Sequence, residues 1–436
     1  MKTASLVFFA SLGICLFFSR GHFHIPSLFV ITASYAGLIF SFYREYSGQQ
    51  AANSSSRYSK ANERIVLVVF GVLLLFNDGL IYAQNHEARI GLRLCLGGSA
   101  LFSFALAVVK SKQAKPALLA GAFLFYAAAA ILTIHASPAP VIDVWTHATE
   151  ASDALLAGKN PYAITYTDLY RGFYKTPVLP VYPPVTFLWQ APFRALFGDV
   201  RYAFVASMLL ILAGIVLLIR RRGGSIDLTA GLWVMFPVSF FVLEQAWNDS
   251  LVLMFIPPLL LCLIGQRWLL AGVLLATLVS SKQHMAFMLV LCLVYVGRRF
   301  GRSAVFKVVG SGMVTGLVLN LPWALADWEH YSFAVIKAIP SFPARPDALS
   351  WIAFAARNGI TLPGILPYGI YLATLGGGIA FLWDQKRASL EAFMGLCVLM
   401  YGALFLFGKQ AFCNYYYAVA GLTLFQYILL KTRRVA

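Results

Sequence analysis

SPAPVIDVWTHATEASDALLAGKNPYAITYTDLYRGFYKTPVLPVYPPV, residues 137–185, decides how this chain is read. It follows an apolar run that ends near His135. From about Val141 to Ala157 the pattern is helical. Val144, Ala148, Ala151 and Leu155 share one stripe, and Asp143, His147 and Glu150 share the neighbouring one. Gly158 suits a left-handed C-cap, and Asn160-Pro161 forbids continuation of the helix. The stretch therefore predicts a short amphipathic helix lying along a membrane surface, its acids towards an aqueous cavity. The rest of the chain reads as the scaffold that holds this segment against a bilayer.

The composition agrees. Of 436 residues, 60% are hydrophobic and only 12% charged, which excludes a soluble enzyme with a polar surface. Apolar runs approaching the roughly 20 residues that cross a ~30 Å hydrocarbon core occur at 3–19, 25–43, 65–83, 94–109, 117–135, 201–219, 228–246, 249–266, 268–281, 284–297, 304–321, 365–383, 390–408 and 412–430. The expected fold class is an all-α polytopic membrane protein with about fourteen transmembrane helices. The net charge of +17 would suit a nucleic-acid partner if it were clustered in a groove. Instead Arg220–Arg222, Arg298, Arg299 and Arg302, Lys386-Arg387 and the tail around Lys431 fall on alternate loops, all on one side. That is the positive-inside pattern, so this side, with both termini, is expected to be cytoplasmic, and no nucleic acid is expected. The six cysteines are scattered without a CxxC pair or a Cys/His cluster, so neither a disulfide framework nor a zinc site is supported. The run after Met1-Lys2 lacks a small-x-small cleavage site at its Ser19-Arg20-Gly21-His22 exit, and reads as an uncleaved first helix.

Two segments on the outer side are long for loops, 136–200 and 322–364, and loops of this length in a compact protein usually carry function. The polar stretch Gln49–Lys60 reads as a cytoplasmic linker. No internal repeat is evident. Mid-span charge is sparse, with Asp78 the clearest case and Asn77 a neighbouring partner for it.

Several residues can carry chemistry. Asp143, just past a membrane exit, can be a general base with a raised pKa. An acid at a helix start is equally explained by the helix dipole, and the residue alone leaves both open. His147 and Glu150 share its face, as substrate contacts or as plain surface groups. Asn160, Tyr162 and Tyr182, the last in a rigid Tyr-Pro-Pro turn, can meet a sugar or a lipid; proline-broken re-entry into the membrane explains the turn as well. Asn248-Asp249 opens a span, either to contact hydroxyls or to cap the helix. Lys282 and His284 interrupt two apolar runs at the outer face, where cations run against the charge bias and a phosphate is a fitting partner; a loop that merely connects two helices explains them as well. Lys409 with Asn414 and Tyr415 forms a comparable outer set, and Arg345 is a further phosphate candidate. No GxSxG, HExxH, P-loop or Asp-x-Asp motif is present, so nucleotide chemistry and a protein-borne metal site have no support.

The ordered set resembles a known superfamily. An acid soon after a membrane helix, then ALLAGKNPYAITY, then YPP with an apolar run ending in Phe197-Gly198, resembles the GT-C integral membrane glycosyltransferases. Asn248-Asp249 opening one span and Lys282 near the start of another add to the likeness. It is nearest to the polyprenol-phosphate-mannose-dependent α-mannosyltransferases of glycosyltransferase family 87. It covers roughly 136–430, which leaves residues 1–116 as additional N-terminal helices ahead of a glycosyltransferase region at 117–436.

The resemblance implies transfer of a hexose, mannose first among them, from a polyprenyl phosphate to an extracytoplasmic glycan or glycolipid. It implies Asp143 as base on the acceptor hydroxyl, with inversion at the sugar. Lys282, His284, Lys409 or Arg345 would hold the donor phosphate. His147, Glu150, Asn160, Tyr162, Tyr182, Asn248, Asp249, Asn414 and Tyr415 would line the substrate. No cofactor is expected beyond the lipid-linked donor. The alternative is a flippase or transporter of lipid-linked saccharides, for which paired mid-membrane charges and internal symmetry would speak.

Overall fold

The computed structural model describes residues 1–47, 56–76, 78–111, 113–172, 181–224, 228–360 and 362–433, without the side chains of residues 56–59. Asn77 and the greater part of the expected linker, residues 49–55, lie outside the described residues. The described residues form helices and no named strand; one isolated bridge joins His22 to Ala348.

Five helices come first: α1 (Lys2–Ser19), α2 (Ile25–Tyr46), α3 (Ser56–Phe76), α4 (His86–Val108) and α5 (Ala114–Ala136). The first long loop folds into α6 (Asp143–Leu156) and α7 (Val185–Phe197). Next come α8 (Arg201–Arg221), α9 (Leu228–Val234), α10 (Ser239–Glu244), α11 (Asp249–Met254), α12 (Ile256–Ile264), α13 (Trp268–Val279), α14 (Ala286–Phe300) and α15 (Arg302–Ala326). The second long loop holds α16 (Trp328–Ser332), α17 (Ala338–Ser341) and α18 (Trp351–Arg357). The chain closes with α19 (Leu366–Trp383), α20 (Leu390–Leu406) and α21 (Cys413–Lys431).

Among the described residues, seven helices are long and apolar enough to cross a membrane: α1, α2, α4, α5, α8, α15 and α19. Asp249–Ile264, Trp268–Val279 and Leu390–Leu406 are apolar but shorter. Two expected spans are broken. The run 228–246 parts between α9 and α10 around Pro237, which lacks an N–H. The run 249–266 parts at Phe255, ahead of Pro257-Pro258. The span expected at 65–83 ends at Phe76, so Asp78 is a loop residue and not a mid-span charge. Buried there, it accepts Nε of Arg89 at 2.8 Å and Nε of Arg93 at 3.0 Å.

The bundle has two chemically distinct ends. At one end Glu63 of α3 accepts from the Tyr427 hydroxyl (2.6 Å) and the Lys431 ammonium (2.5 Å), while Arg222 pairs with Glu391 (2.5 Å). At the other end the turn after α1 meets the start of α21. Gly21 takes φ 73°, and a Cβ there would lie 1.9 Å from the Cys413 nitrogen, so only glycine fits. One continuous core runs from Leu6 on α1 to Leu429 on α21. A second, small core forms where the long segments meet, with Ala151, Tyr162, Tyr166 and Phe187 against Tyr331 and Ala334. Both long segments therefore lie over the same end of the bundle.

Candidate functional site

α6 forms as its periodicity requires and stops where Gly158 takes φ 71°. Asp143 is its first residue, where the amide dipoles favour a negative charge. Glu150 then fastens the outgoing chain, accepting the Thr167 amide at 3.1 Å and the Thr167 hydroxyl at 2.5 Å. His147 adds a contact from Nε2 to the Thr167 carbonyl at 3.0 Å and sits edge-on to the Tyr166 ring. Asp153 is taken by Arg194 of α7 at 2.7 Å. The neighbouring acids are thus engaged in holding the segment.

The Tyr-Pro-Pro turn is sewn to the turn between α13 and α14. Val185 N–H donates to Ser280 O (3.0 Å), the Thr186 hydroxyl to Ser281 O (3.0 Å), and Gln283 Nε2 to Val181 O (2.9 Å). These bonds bring Tyr182 and Lys282 to one place. Tyr162 supports Tyr182 from behind, its hydroxyl donating to the Tyr182 carbonyl at 2.9 Å. Asn160 accepts the Tyr162 amide and serves that short turn.

Beneath these elements lies a cavity of about 460 Å³, the size of a small-molecule site. Of the expected residues, Asp143, His147, Tyr182, Asn248, Lys282, Arg345, Asn414 and Tyr415 line it. Glu150, Asn160, Tyr162, Asp249, His284 and Lys409 are not in its lining. Asp249 stands behind Lys282, with Oδ1 2.7 Å from Nζ and Oδ2 accepting the Asn414 amide at 3.0 Å. Lys282 also sits 4.8 Å from the Tyr415 ring centroid. His284 lies among the rings of Tyr401, Phe405 and Tyr415. Lys409 sits over Tyr368 at 5.4 Å, and its carbonyl accepts the Arg345 amide at 2.9 Å.

Two carboxylates line the cavity. Asp168 accepts the amides of Tyr170 and Gly172. Asp143 accepts only from the Val144 amide beside it, at 2.8 Å, and has no cation partner among the described residues. The acid left free is therefore the one that the helix start aims at the cavity. Burial, with the nearby Tyr415, Asp249 and Asp143, pushes the Tyr182 phenol far above its ordinary range, so it is a neutral hydrogen-bond donor. Arg345 is held by Asp347 in a two-pronged pair, both contacts at 2.8 Å, and lies 5.2 Å from the Phe412 ring centroid.

No family model, curated protein or solved structure matches the chain. The site therefore rests on its own geometry.

That geometry includes residues the sequence did not single out. His22, Ile81 and Tyr82 line the cavity, so the connections between α1 and α2 and between α3 and α4 supply part of its wall. Glu244 secures the second of these connections. Its buried carboxylate accepts the amides of Ile81 and Tyr82 at 2.9 Å each, the Ser137 hydroxyl at 2.5 Å and Gln245 Nε2 at 3.1 Å. An acid at the end of a long apolar run was the available signal. Gln190 on α7 also lines the cavity, and its one signal was an amide within VTFLWQAPF.

Proposed function

We propose that this chain is an integral membrane hexosyltransferase of the GT-C type, using a polyprenyl-phosphate donor, mannosyl first among them. The observation that carries this reading is Asp143, a carboxylate with no cation partner among the described residues, on the wall of a cavity whose lining also holds Lys282 and Arg345. The reaction needs these parts. The acceptor hydroxyl oxygen attacks the anomeric carbon, the bond from that carbon to the phosphate oxygen breaks, and the polyprenyl phosphate leaves. Asp143 takes the hydroxyl proton as the new bond forms, and attack opposite the leaving group inverts the centre. Charge gathering on the phosphate is met by the Lys282 ammonium, which keeps two N–H groups beyond the one given to Asp249, and by the positive charge of Arg345 on the same wall.

In this reading the shorter and broken helices also cross the bilayer, giving about 14 passes. The arginine-rich end is cytoplasmic with both termini, and the cavity opens on the outside. The direct test offers purified protein a panel of polyprenyl-phosphate sugars with glycan and glycolipid acceptors, and follows released lipid phosphate and glycosylated product by mass spectrometry. A panel left intact, together with movement of lipid-linked saccharide across proteoliposome membranes, would replace the enzyme with a carrier.

A further inference from the structure

The cavity wall carries two buried amides whose oxygens no described residue satisfies. Gln190 is 1% exposed and its Oε1 has no hydrogen-bond partner among the described residues; Asn248 is 1% exposed and its Oδ1 has none among them. The Asn248 orientation is fixed by its surroundings. Its Nδ2 lies 3.4 Å from both Thr186 Oγ1 and Ser281 O. The Thr186 hydroxyl already donates its proton to Ser281 O, so its oxygen faces Asn248 as an acceptor. Turning the amide over would set Oδ1 against two acceptors. Thr186 and Gln190 lie one turn apart on α7, hence on one face, and Gln190, Thr186 and Asn248 all line the same cavity.

A buried acceptor left unmet destabilises the fold, and an apolar side chain of similar shape would avoid the penalty. The residues three positions from Gln190 on α7 are Phe187 and Phe193, so an apolar residue would suit this face. The two amides point to a donor supplied from the cavity. They are neutral dipoles, matched to hydroxyls and not to an ammonium, which Lys282 on the same wall would repel. Tyr82, Tyr182 and Trp247 add aromatic faces for the C–H side of a sugar ring.

We propose that Gln190 and Asn248 form a hydroxyl-recognition subsite that sets which hexose the site accepts, each amide oxygen taking one sugar hydroxyl. This rests on the hexosyl-transfer reading and assigns the part of the sugar that reading leaves open. The test uses Gln190→Met, which keeps length and removes the amide. The protein is held in lipid nanodiscs, because sugar-headed detergents would compete. Two quantities are read: the thermal midpoint, and kcat/KM for a hexosyl donor against each of its monodeoxy analogues.

The wild type should reject one monodeoxy donor by about tenfold or more, because the analogue leaves a buried acceptor unpaired. Gln190→Met should use that donor and its parent alike, with a midpoint equal to or above that of the wild type. Asn248→Leu should lose discrimination at a different hydroxyl. Undiminished discrimination at every position in Gln190→Met overturns the proposal. So does a fallen midpoint with equal loss on all donors, since that marks a structural role. A parallel arm separates the two readings by measuring thermal protection with methyl hexopyranosides. Protection of the wild type by one stereoisomer, lost in Gln190→Met, keeps the subsite even where no donor is turned over. Absence of protection by any of them, in a protein that also leaves all donors intact, overturns subsite and transfer together.

Discussion

Lys282 and Asp249 carry opposite charges into a place with almost no solvent, and separating them gives a measurable quantity. The pair is 2.7 Å apart, with side-chain exposures of 2% and 0%. Removing one partner of such a pair strands the other charge and typically costs about 3–5 kcal/mol. In Lys282→Met, the Asn414 amide still donates to Asp249 at 3.0 Å, a bond already present and unable to offset the loss. In Asp249→Asn, Lys282 keeps its place 4.8 Å from the Tyr415 ring centroid. A desolvated cation–π contact of about 2 kcal/mol does not replace a carboxylate either. Each single variant should therefore lose about 3 kcal/mol or more. The double variant Lys282→Met/Asp249→Asn leaves neither charge of the pair buried and should lose only about 1 kcal/mol, giving a coupling of about 5 kcal/mol. Equilibrium unfolding in mixed micelles, run on all four proteins, measures the cycle. Losses that simply add, within about 0.5 kcal/mol, would refute the buried pair. The cycle also isolates the phosphate role, because Lys282→Ala alone mixes folding with binding. The double variant should fold well and still use the donor poorly.

Other expectations follow from the same geometry. Asp143→Asn should lower turnover by about 10²–10⁴-fold with normal extraction and elution, while Glu150→Gln and Asp153→Asn, which hold Thr167 and Arg194, should cost much less; near-normal transfer by Asp143→Asn would remove it as the base. Reporter fusions after Arg222 and after Lys159 should sit in opposite compartments, and one shared compartment would undo the orientation. Arg345 holds the Asp347 carboxyl below the usual carboxylate range. A depressed folded-state value means that its stabilisation is present above about pH 4 and is lost as pH falls through that folded value. The protection of the Leu349 amide, which donates to Ala411 O at 2.8 Å, relative to the intrinsic exchange rate at each pH, should therefore fall only in acid, and a fall near neutral pH would count against this link.

The long helices were legible because apolar length and Gly or Pro punctuation are local properties. α6 formed over nearly the whole expected range for the same reason, and Gly158 ended it as its neighbours demanded. The end of α3 was misread because Ile81, Tyr82 and Ala83 prolong the apolar pattern beyond Asp78. What stops the helix is tertiary, since Arg89 and Arg93 claim the acid, and Glu244 claims the amides that follow. The same holds at the site. Asp143 stood out through its position in a local pattern. Gln190 became meaningful only when folding put it beside Thr186 and Asn248 on a cavity wall. Lys282 was visible as an out-of-place cation, while the Asp249 that neutralises it is separated from it by 33 positions.

The clasp between Glu63 and the last helix has a consequence for how the protein is made. Lys431 reaches Glu63 across 368 positions, and α1 packs against α21. α1 therefore waits for α21 before their shared face is covered. Until α21 arrives the cavity lacks Asn414 and Tyr415, and the turn at Gly21 has nothing to close upon. The cavity is thus incomplete until α21 has been made. A stop codon or cleavage shortly before Lys431 would leave most of the helices intact and yet yield a product with an open seam, a natural substrate for membrane quality control.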